Sequence, residues 1–519
     1  MPSTVLSAAT LGIDAYPVYV EVDTDRTLPT FTVVGLPDST VRESKERVLA
    51  AIKNAGYQWP RRRVTVNLAP ADRRKEGSAF DLPIALGVLV ASKQIKPVRL
   101  GDFALLGELS LNGSVRPVHG MLSMAASLHQ QGVYGMIVPA QNAREAATAD
   151  GPLVYGISTL NEAVDILEGD IRQRPYELDI AGLFSSNTDH PVDFSEVCGQ
   201  DHAKRALEVA AAGGHNMLMV GPPGSGKTML ARRLPTILPP STLSEALTTT
   251  KIHSVAGVLT AEQALVTTRP FRAPHHTISN AGLVGGGSYP RPGEVSLAHH
   301  GVLFLDELPE FRRHVVEALR QPLEDHAVTI TRAQIALSYP ARFTLVAAMN
   351  PCPCGYLSDT RRSCTCSSAA ILRYRARVSG PLLDRIDMHI EVPGLAYDDL
   401  ANKDGGEPSA LIAERVYAAR QRQLDRFQTE PLCNAHMASP HLRRHCSLDA
   451  QCQALLAKAM DRLGLSARAY DRILKVARTI ADLVESTDIQ STHLSEAIQY
   501  RSLDRDGGHA FGTELKPAR

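Results

Sequence analysis

The run NMLMVGPPGSGKTML, residues 216–230, constrains what this chain can fold into more than any other stretch. Four apolar residues, Met217–Val220, lead into G-x-x-x-x-G-K-[ST], and a helical pattern, Thr228–Leu234, follows. That order is a buried strand, a phosphate-cradling loop and a helix whose N-terminus faces an anion. It demands an α/β sheet with the loop at the carboxyl end of a strand. Gly221, Pro222, Pro223, Gly224, Ser225 and Gly226 form the loop. Lys227 is placed to reach the β- and γ-phosphates and Thr228 to ligate magnesium, so ATP and Mg2+ are the expected cofactors.

Two further apolar runs complete a nucleotide site. GVLFLDEL (301–308) reads as a strand ending in Asp306 and Glu307. Asp306 would hold hydrated magnesium, and Glu307 would polarise the attacking water. FTLVAAMN (343–350) reads as a strand ending at Asn350, within reach of the γ-phosphate water if it lies beside the Asp306 strand. Arg385, in SGPLLDRIDMHIEV, is either a surface ion pair or an arginine offered to a neighbouring subunit. Arg468, opening the helix of SARAYDRILKVARTI, is a candidate cis contact to nucleotide from the helical region, with Arg472 as its competitor.

Between Asn350 and Arg385 lies PCPCGYLSDTRRSCTC. Eight cysteines in 519 residues do not make a disulfide scaffold, and a cluster in a reducing compartment points to metal. Cys352, Cys354, Cys364 and Cys366 form C-x-C-x9-C-x-C, four thiolates able to close a structural zinc site with no open catalytic position. Free thiols, disulfides and iron–sulfur ligation are the alternatives. Cys433, Cys446 and Cys452 among His436, His441 and His445 form a second, irregular metal candidate.

At this length two to four domains are expected. Lys plus Arg equals Asp plus Glu at 55 each, so nucleic-acid contact must come from local patches. No run approaches the roughly 18 apolar residues of a membrane span, and the opening MPSTVLSAATLG lacks the basic start of a secretory signal. The expectation is a cytoplasmic protein with no membrane partner. Residues 1–170 mix β-like runs (PVYVEVD, TFTVVGL, RRVTVNLA, YGMIVPA) with helical runs (Val41–Ala55, Phe80–Ala91), an α+β domain. Residues 171–193 read as a linker, 194–395 as an α/β core, 396–503 as a helical lid domain and 504–519 as a loose tail. Within the lid, helices are expected at Leu411–Phe427, Leu448–Leu463, Ala469–Leu483 and Thr492–Arg501.

Beyond these motifs, TVVGLPDSTVRESKERV, VNLAPAD, KEGSAFDLPIALGVL, RPFRAPHHTIS, PRPGEVSLAHHGVLFLDELPEF, AAMNPCPCG, SGPLLDRID and LSARAYDRILKVARTIADL together resemble the ComM or YifB family of magnesium-chelatase-like AAA+ proteins. The resemblance covers nearly the whole chain. It implies an N-terminal domain of Lon-protease-like fold, an AAA+ core and a helical lid, assembled as an ATP-driven homo-hexamer. It implies branch migration and helicase activity on single-stranded and branched DNA during natural transformation, alongside recombination proteins. It assigns Arg385 as arginine finger, Asn350 as sensor 1 and Arg468 as sensor 2. It also implies two insertions. The stretch 269–294 would be one, and the alternating stretch 326–343 a hairpin with Arg332 near its tip. Arg269, Arg272, Arg291 and Arg332 are candidate phosphate contacts, each otherwise an ordinary solvated arginine. His275 and His276 could be ligands, backbone binders or packing residues. A chelatase motor and a protein-remodelling ATPase are the competing functions.

The Lon-like resemblance raises the question of proteolysis. The K-D-G-P-S-A-G run of such proteases corresponds here to KEGSAFD, residues 75–81, with Ala79 at the nucleophile position and Ser78 one residue off. Leu122 stands at the position of the partner lysine. A serine without an adjacent base is a poor nucleophile, so the domain is expected to be non-proteolytic. Arg61, Arg62, Arg63, Arg73, Arg74 and Lys75 keep DNA contact open there.

Overall fold

The computed structural model describes residues 2–186, 190–287, 290–332, 335–357, 359, 362–394, 406–428 and 433–501. The chain divides into two compact units. One comprises residues 1–187, 242–267 and 331–339; the other comprises 188–241, 268–330 and 340–519.

The first unit is built on a seven-stranded mixed sheet in the order Phe31–Val34, Arg63–Ala69, Asp14–Asp25, Ser3–Leu11, Phe103–Leu105, Gly135–Pro139, Leu153–Ile157. Strand alternation sends successive residues to opposite faces. Phe103, Leu105 and Ile137 therefore join one core with helices Ser39–Asn54, Asp81–Ala91 and Leu160–Glu168. Ala104, Met136 and Val138 join another with helices Met121–Gln130 and Ala140–Ala146. Helix Asp81–Ala91 is apolar almost all round and buried along nearly its whole length, as a helix between a sheet and a second helix must be. The first strand, Ser3–Leu11, went unread in the sequence because STVLSAATL carries small residues on both faces.

Helix Leu243–Ala256 also belongs to this unit, although it follows the phosphate loop in sequence and the linear reading placed it in the 194–395 core. The physical reason is a buried polar clasp. The Glu145 carboxylate accepts from Leu122 N at 2.8 Å and from Asn142 Nδ2 at 3.2 Å. It also accepts from the Ser254 hydroxyl, whose oxygen in turn accepts from Gly120 N at 2.8 Å. The helix is closed by a capping box of Thr242 with Glu245 and by Gly257 at φ +74°.

The second unit carries a five-stranded sheet in the order Phe271–Arg272, Val302–Leu305, Thr344–Met349, Met217–Val220, Met388–Glu391, all parallel. MLMV and VLFL are buried at every position, the pattern of parallel strands covered on both faces. In register, Val220 lies opposite Met349 and Glu391, and Leu305 opposite Ala347. The residues that follow these strands thus emerge along one edge. Helices Ser409–Phe427, Ala450–Leu463, Ala467–Leu483 and Ser491–Gln499 share one hydrophobic core with this sheet through Ile412, Leu456, Ile473 and Leu494.

Two sequence expectations change in detail. The 171–193 stretch contains a short helix, Ile180–Ser186. The 269–294 stretch begins as the edge strand of the core sheet, with Phe271 stacked on Phe304 at 6.0 Å. It continues through helix Asn280–Val284 and a miniature hairpin of Gly285–Gly286 with Arg291–Pro292. The 326–343 stretch forms the expected paired strands, Ala327–Arg332 and Ile335–Pro340; the Arg332 side chain lies outside the described residues, as does the 504–519 tail.

Candidate active site

The phosphate loop follows strand Met217–Val220, and Gly226 at φ +89° turns it into helix Lys227–Arg233. Gly224 is likewise left-handed, at φ +77°. Such turns open backbone N–H groups into an anion-binding concavity. Lys227 Nζ donates to the carbonyls of Gly221 at 2.7 Å and Pro222 at 2.9 Å, and lies 3.5 Å from Asn350 Oδ1. Burial lowers its ammonium to about 8, against the opposing pull of Asp306 and Glu307.

Thr228 Oγ1 donates to Asp306 Oδ2 at 2.7 Å. The hydroxyl and the carboxylate thus converge as the pair that would hold a magnesium ion. Asp306 Oδ1 accepts from Glu307 N at 3.0 Å, and Glu307 stands at φ +53°, a strained position for a side-chain-bearing residue. Lys227, Thr228, Asp306, Glu307 and Asn350 are therefore gathered at one sheet edge.

Arg385 stands elsewhere. Its guanidinium is buried and donates to Pro381 O at 2.6 Å, and it pairs with Glu324 at 2.5 Å. The hydrogen bond from Arg385 lowers the Glu324 carboxyl; a smaller lowering comes from the charge of Arg468. Arg468 is exposed. It shares this neighbourhood with Arg385, and among the described residues no contact links it to the phosphate loop. Arg472, its competitor, is an ion-pair partner of buried Asp387, whose carboxylate also accepts from Asn216 N at 2.9 Å. Asn216 Oδ1 accepts from Leu345 N at 2.8 Å, tying the phosphate-loop strand to the Asn350 strand.

The four cysteines meet. Cys352 Sγ lies 3.4 Å from Cys354 Sγ and 3.6 Å from Cys364 Sγ, and all four ligand atoms fall within 4.8 Å of one another. Zn–S bonds of about 2.3 Å in a tetrahedron separate sulfurs by about 3.8 Å, so the cluster fits that ion. The thiol of Cys354 is lowered to about 6: burial opposes this, and backbone N–H groups of Tyr356 and Thr365 outweigh it. The second candidate does not assemble; among the described residues only this cysteine quartet gathers three or more such ligands. Instead Cys433 Sγ sits 3.1 Å from His436 Nδ1, and the His436 ring stacks edge-on to His326 at 4.4 Å.

Three family models match the chain in order. "Subunit ChlI of Mg-chelatase" matches residues 20–142, "Magnesium chelatase, subunit ChlI" residues 193–400, and "Magnesium chelatase, subunit ChlI C-terminal" residues 406–501. Competence protein ComM of Haemophilus influenzae is 46% identical over 505 residues, covering 96% of this chain and 97% of that protein. The chain belongs to the ComM/YifB family of magnesium-chelatase-like AAA+ proteins. YifB of Escherichia coli, itself uncharacterized, is 44% identical over 506 residues, 97% of each chain. Lon protease 2 of Bacillus subtilis is 31% identical over 145 residues, 27% of this chain and 26% of that one.

In this ComM/YifB-family chain the Lon-like dyad positions are apolar and buried, Ala79 and Leu122. Ser78 Oγ donates to the Glu108 carboxylate, and Lys75 Nζ is turned to the carbonyls of Pro70 and Arg73. Among the described residues no lysine bonds to Ser78.

The insertion arginines divide. Arg269 is spent on the backbone, donating to the carbonyls of Pro239 at 2.5 Å and His300 at 2.8 Å. Arg272 grips Glu294 with two bonds of 2.6 and 2.8 Å. Arg291 is exposed at the miniature hairpin. Of His275 and His276, whose roles the sequence leaves open, His276 places its Nδ1 3.6 Å from Glu307 Oε2. Glu324, the partner of Arg385, went unread; the acidic pair in QPLEDH carries no motif. Among the described residues no helix is long and apolar enough to cross a membrane.

Proposed function

We propose that this protein is an ATP-driven, cytoplasmic homo-hexameric DNA motor that promotes branch migration and unwinding during recombination in natural transformation. The observation that carries the reading is the separation of two half-sites within one chain. Lys227, Thr228, Asp306, Glu307 and Asn350 converge, whereas Arg385 and Arg468 gather around Glu324. A ring supplies the missing half: one subunit binds and polarises, and its neighbour presents Arg385, with Arg468 beside it, to the developing charge on the γ-phosphate. In this reading Glu307 orients the attacking water, with His276 holding its carboxylate, and Asn350 holds that water against Lys227. Magnesium, when bound at Thr228 and Asp306, neutralises phosphate charge. The cysteine quartet holds a structural zinc. The N-terminal unit is non-proteolytic, and Arg291 is the arginine of the 269–294 stretch left for a phosphate backbone. The name of the full-length Haemophilus relative, a competence protein, supports the cellular setting.

ATPase rate against single-stranded, double-stranded and branched DNA tests this, with Glu307→Gln as the inactive control. Stimulation by single-stranded or branched DNA, lost in the variant, supports the motor. A basal rate indifferent to every DNA transfers the assignment to a chelatase-type or protein-remodelling ATPase.

A further inference from the structure

The first unit holds a pocket that the nucleotide chemistry does not use. Its volume is about 600 Å³, within the range of about 300–1,000 Å³ typical of ligand sites. Tyr57, Trp59, Arg61, Arg62, Ser92 and Gln94 are among its lining residues. The segment that carries them is held in place. Gln58 N donates to Gln94 Oε1 at 2.8 Å, Gln94 Nε2 returns a bond to Gln58 O at 2.7 Å, and the same amide reaches Ser92 Oγ at 2.8 Å. Tyr57 N is anchored to Ile52 O at 3.0 Å. The Trp59 ring packs on Phe31 at 5.8 Å between centroids, which orients it without burying it fully.

Charge is distributed unevenly around this segment. Arg61 and Arg62 are exposed, and among the described residues neither has an ion pair or hydrogen bond. The acidic groups Glu168 and Asp165 act on Tyr57, where burial, followed by those two carboxylates, raises the phenol. Two guanidiniums with no internal task, an oriented indole and a fixed amide make a particular combination. Phosphates suit the first and a base face suits the second, while the amide, its two N–H donors spent on Gln58 O and Ser92 Oγ, fixes the segment that presents them.

We infer that this pocket is a subsite for single-stranded nucleic acid, with Arg61 and Arg62 holding backbone phosphates and Trp59 stacking a base. The inference rests on the DNA reading above and adds to it a second contact point, outside the ATPase unit. An acidic peptide would use the two arginines and leave the indole without a role, so it is the less favoured occupant.

Trp59 is the single tryptophan of the chain, so tryptophan emission, excited at wavelengths the tyrosines do not absorb, reports on this pocket alone. The full-length protein is titrated with a short oligothymidylate at several salt concentrations. Saturable quenching is expected. The double variant Arg61→Ala/Arg62→Ala is expected to bind roughly ten-fold more weakly, with the slope of log K against log salt shallower by about 1.4, two single-strand phosphate contacts. Its ATPase rate without DNA stays at the wild-type value. Trp59→Ala, followed by anisotropy of a labelled oligonucleotide, is expected to lose about ten-fold in affinity, whereas Trp59→Phe keeps most of it. If the oligonucleotide binds by anisotropy with no change in Trp59 emission and the arginine variant binds like wild type, the subsite is wrong and the motor reading stands. If no DNA binds and none stimulates hydrolysis, both readings fall. Quenching by polyglutamate but not by oligothymidylate overturns the inference in favour of an acidic protein partner.

Discussion

A Cβ atom built on Gly355 stands 2.5 Å from Cδ of Pro223, so the cysteine-bearing segment rests directly on the phosphate loop. Gly355 follows Cys354 and adopts φ +88°, a conformation that side-chain-bearing residues rarely take. Its N–H closes a turn onto Cys352 O at 3.0 Å. The sequence gives Asn350 and the cysteines as neighbours along the chain; the fold makes the cysteines neighbours of the nucleotide loop as well.

Gly355→Ala follows from that contact. The substitution meets both a left-handed backbone, costing roughly 1–2 kcal/mol, and the Pro223 ring, whose Cδ lies 2.5 Å from the new Cβ. ATP affinity is expected to fall about ten-fold, by roughly 1.4 kcal/mol, in a protein that still folds. Nucleotide titration beside a melting curve checks this. Unchanged affinity at reduced Tm would mean that the contact supports the cysteine segment without shaping the loop.

The cysteine quartet leads to a metal prediction. Protein purified from metal-replete cells is expected to carry one zinc per chain by elemental analysis, and Cys364→Ser to carry far less. Chelation is expected to lower Tm by several degrees and to reduce hexamer yield more than it changes turnover per assembled ring, since a four-thiolate site has no open position for chemistry. Metal-free protein of full stability would refute the assignment.

Lys227 gives a pH prediction. Its folded-state value is lowered from 10.5 to about 8 by burial. The unfolded chain therefore binds more protons between about pH 8 and 10.5, and stability contributed by this group rises with pH across that window. Below about pH 8 the full cost of the buried ammonium is present. In nucleotide-free protein, the Tm difference between wild type and Lys227→Met is expected to move in favour of wild type as pH rises from about 7 to about 9.5. A difference that stays flat would show that the ammonium is solvated in the folded state.

Much of the nucleotide site was legible because its chemistry is local in sequence. Met217–Thr228 and Val302–Glu307 each put an apolar strand directly before the functional residue, and parallel pairing then brought Asp306 to Thr228. What escaped the sequence depends on pairings between distant residues. Ser254 and Glu145 are 109 positions apart, and nothing in either segment announces that helix Leu243–Ala256 packs with the N-terminal sheet. His276 and Glu307 likewise meet only through the fold. Strand Ser3–Leu11 escaped for a different reason: serine, alanine and threonine blur an alternation that larger side chains would have made plain.

The bond between Arg385 and Glu324 supplies the last prediction. A buried guanidinium held at 2.5 Å by a half-exposed carboxylate is a positioned cation, and removing its charge should leave the fold largely intact. If Arg385 works on a neighbour's nucleotide, Arg385→Ala subunits bind ATP and fail to hydrolyse it. Lys227→Met subunits fail for the opposite reason, with an intact arginine and no competent loop. Mixed before assembly, the two inactive proteins create interfaces where a sound phosphate loop faces a sound Arg385, and a fraction of the wild-type rate is expected to return. Glu324→Gln, which loosens the arginine without removing it, should lower turnover less than Arg385→Ala does. Mixtures that stay as inactive as their parents, while still forming rings by light scattering, would place Arg385 outside catalysis and leave it a structural ion pair.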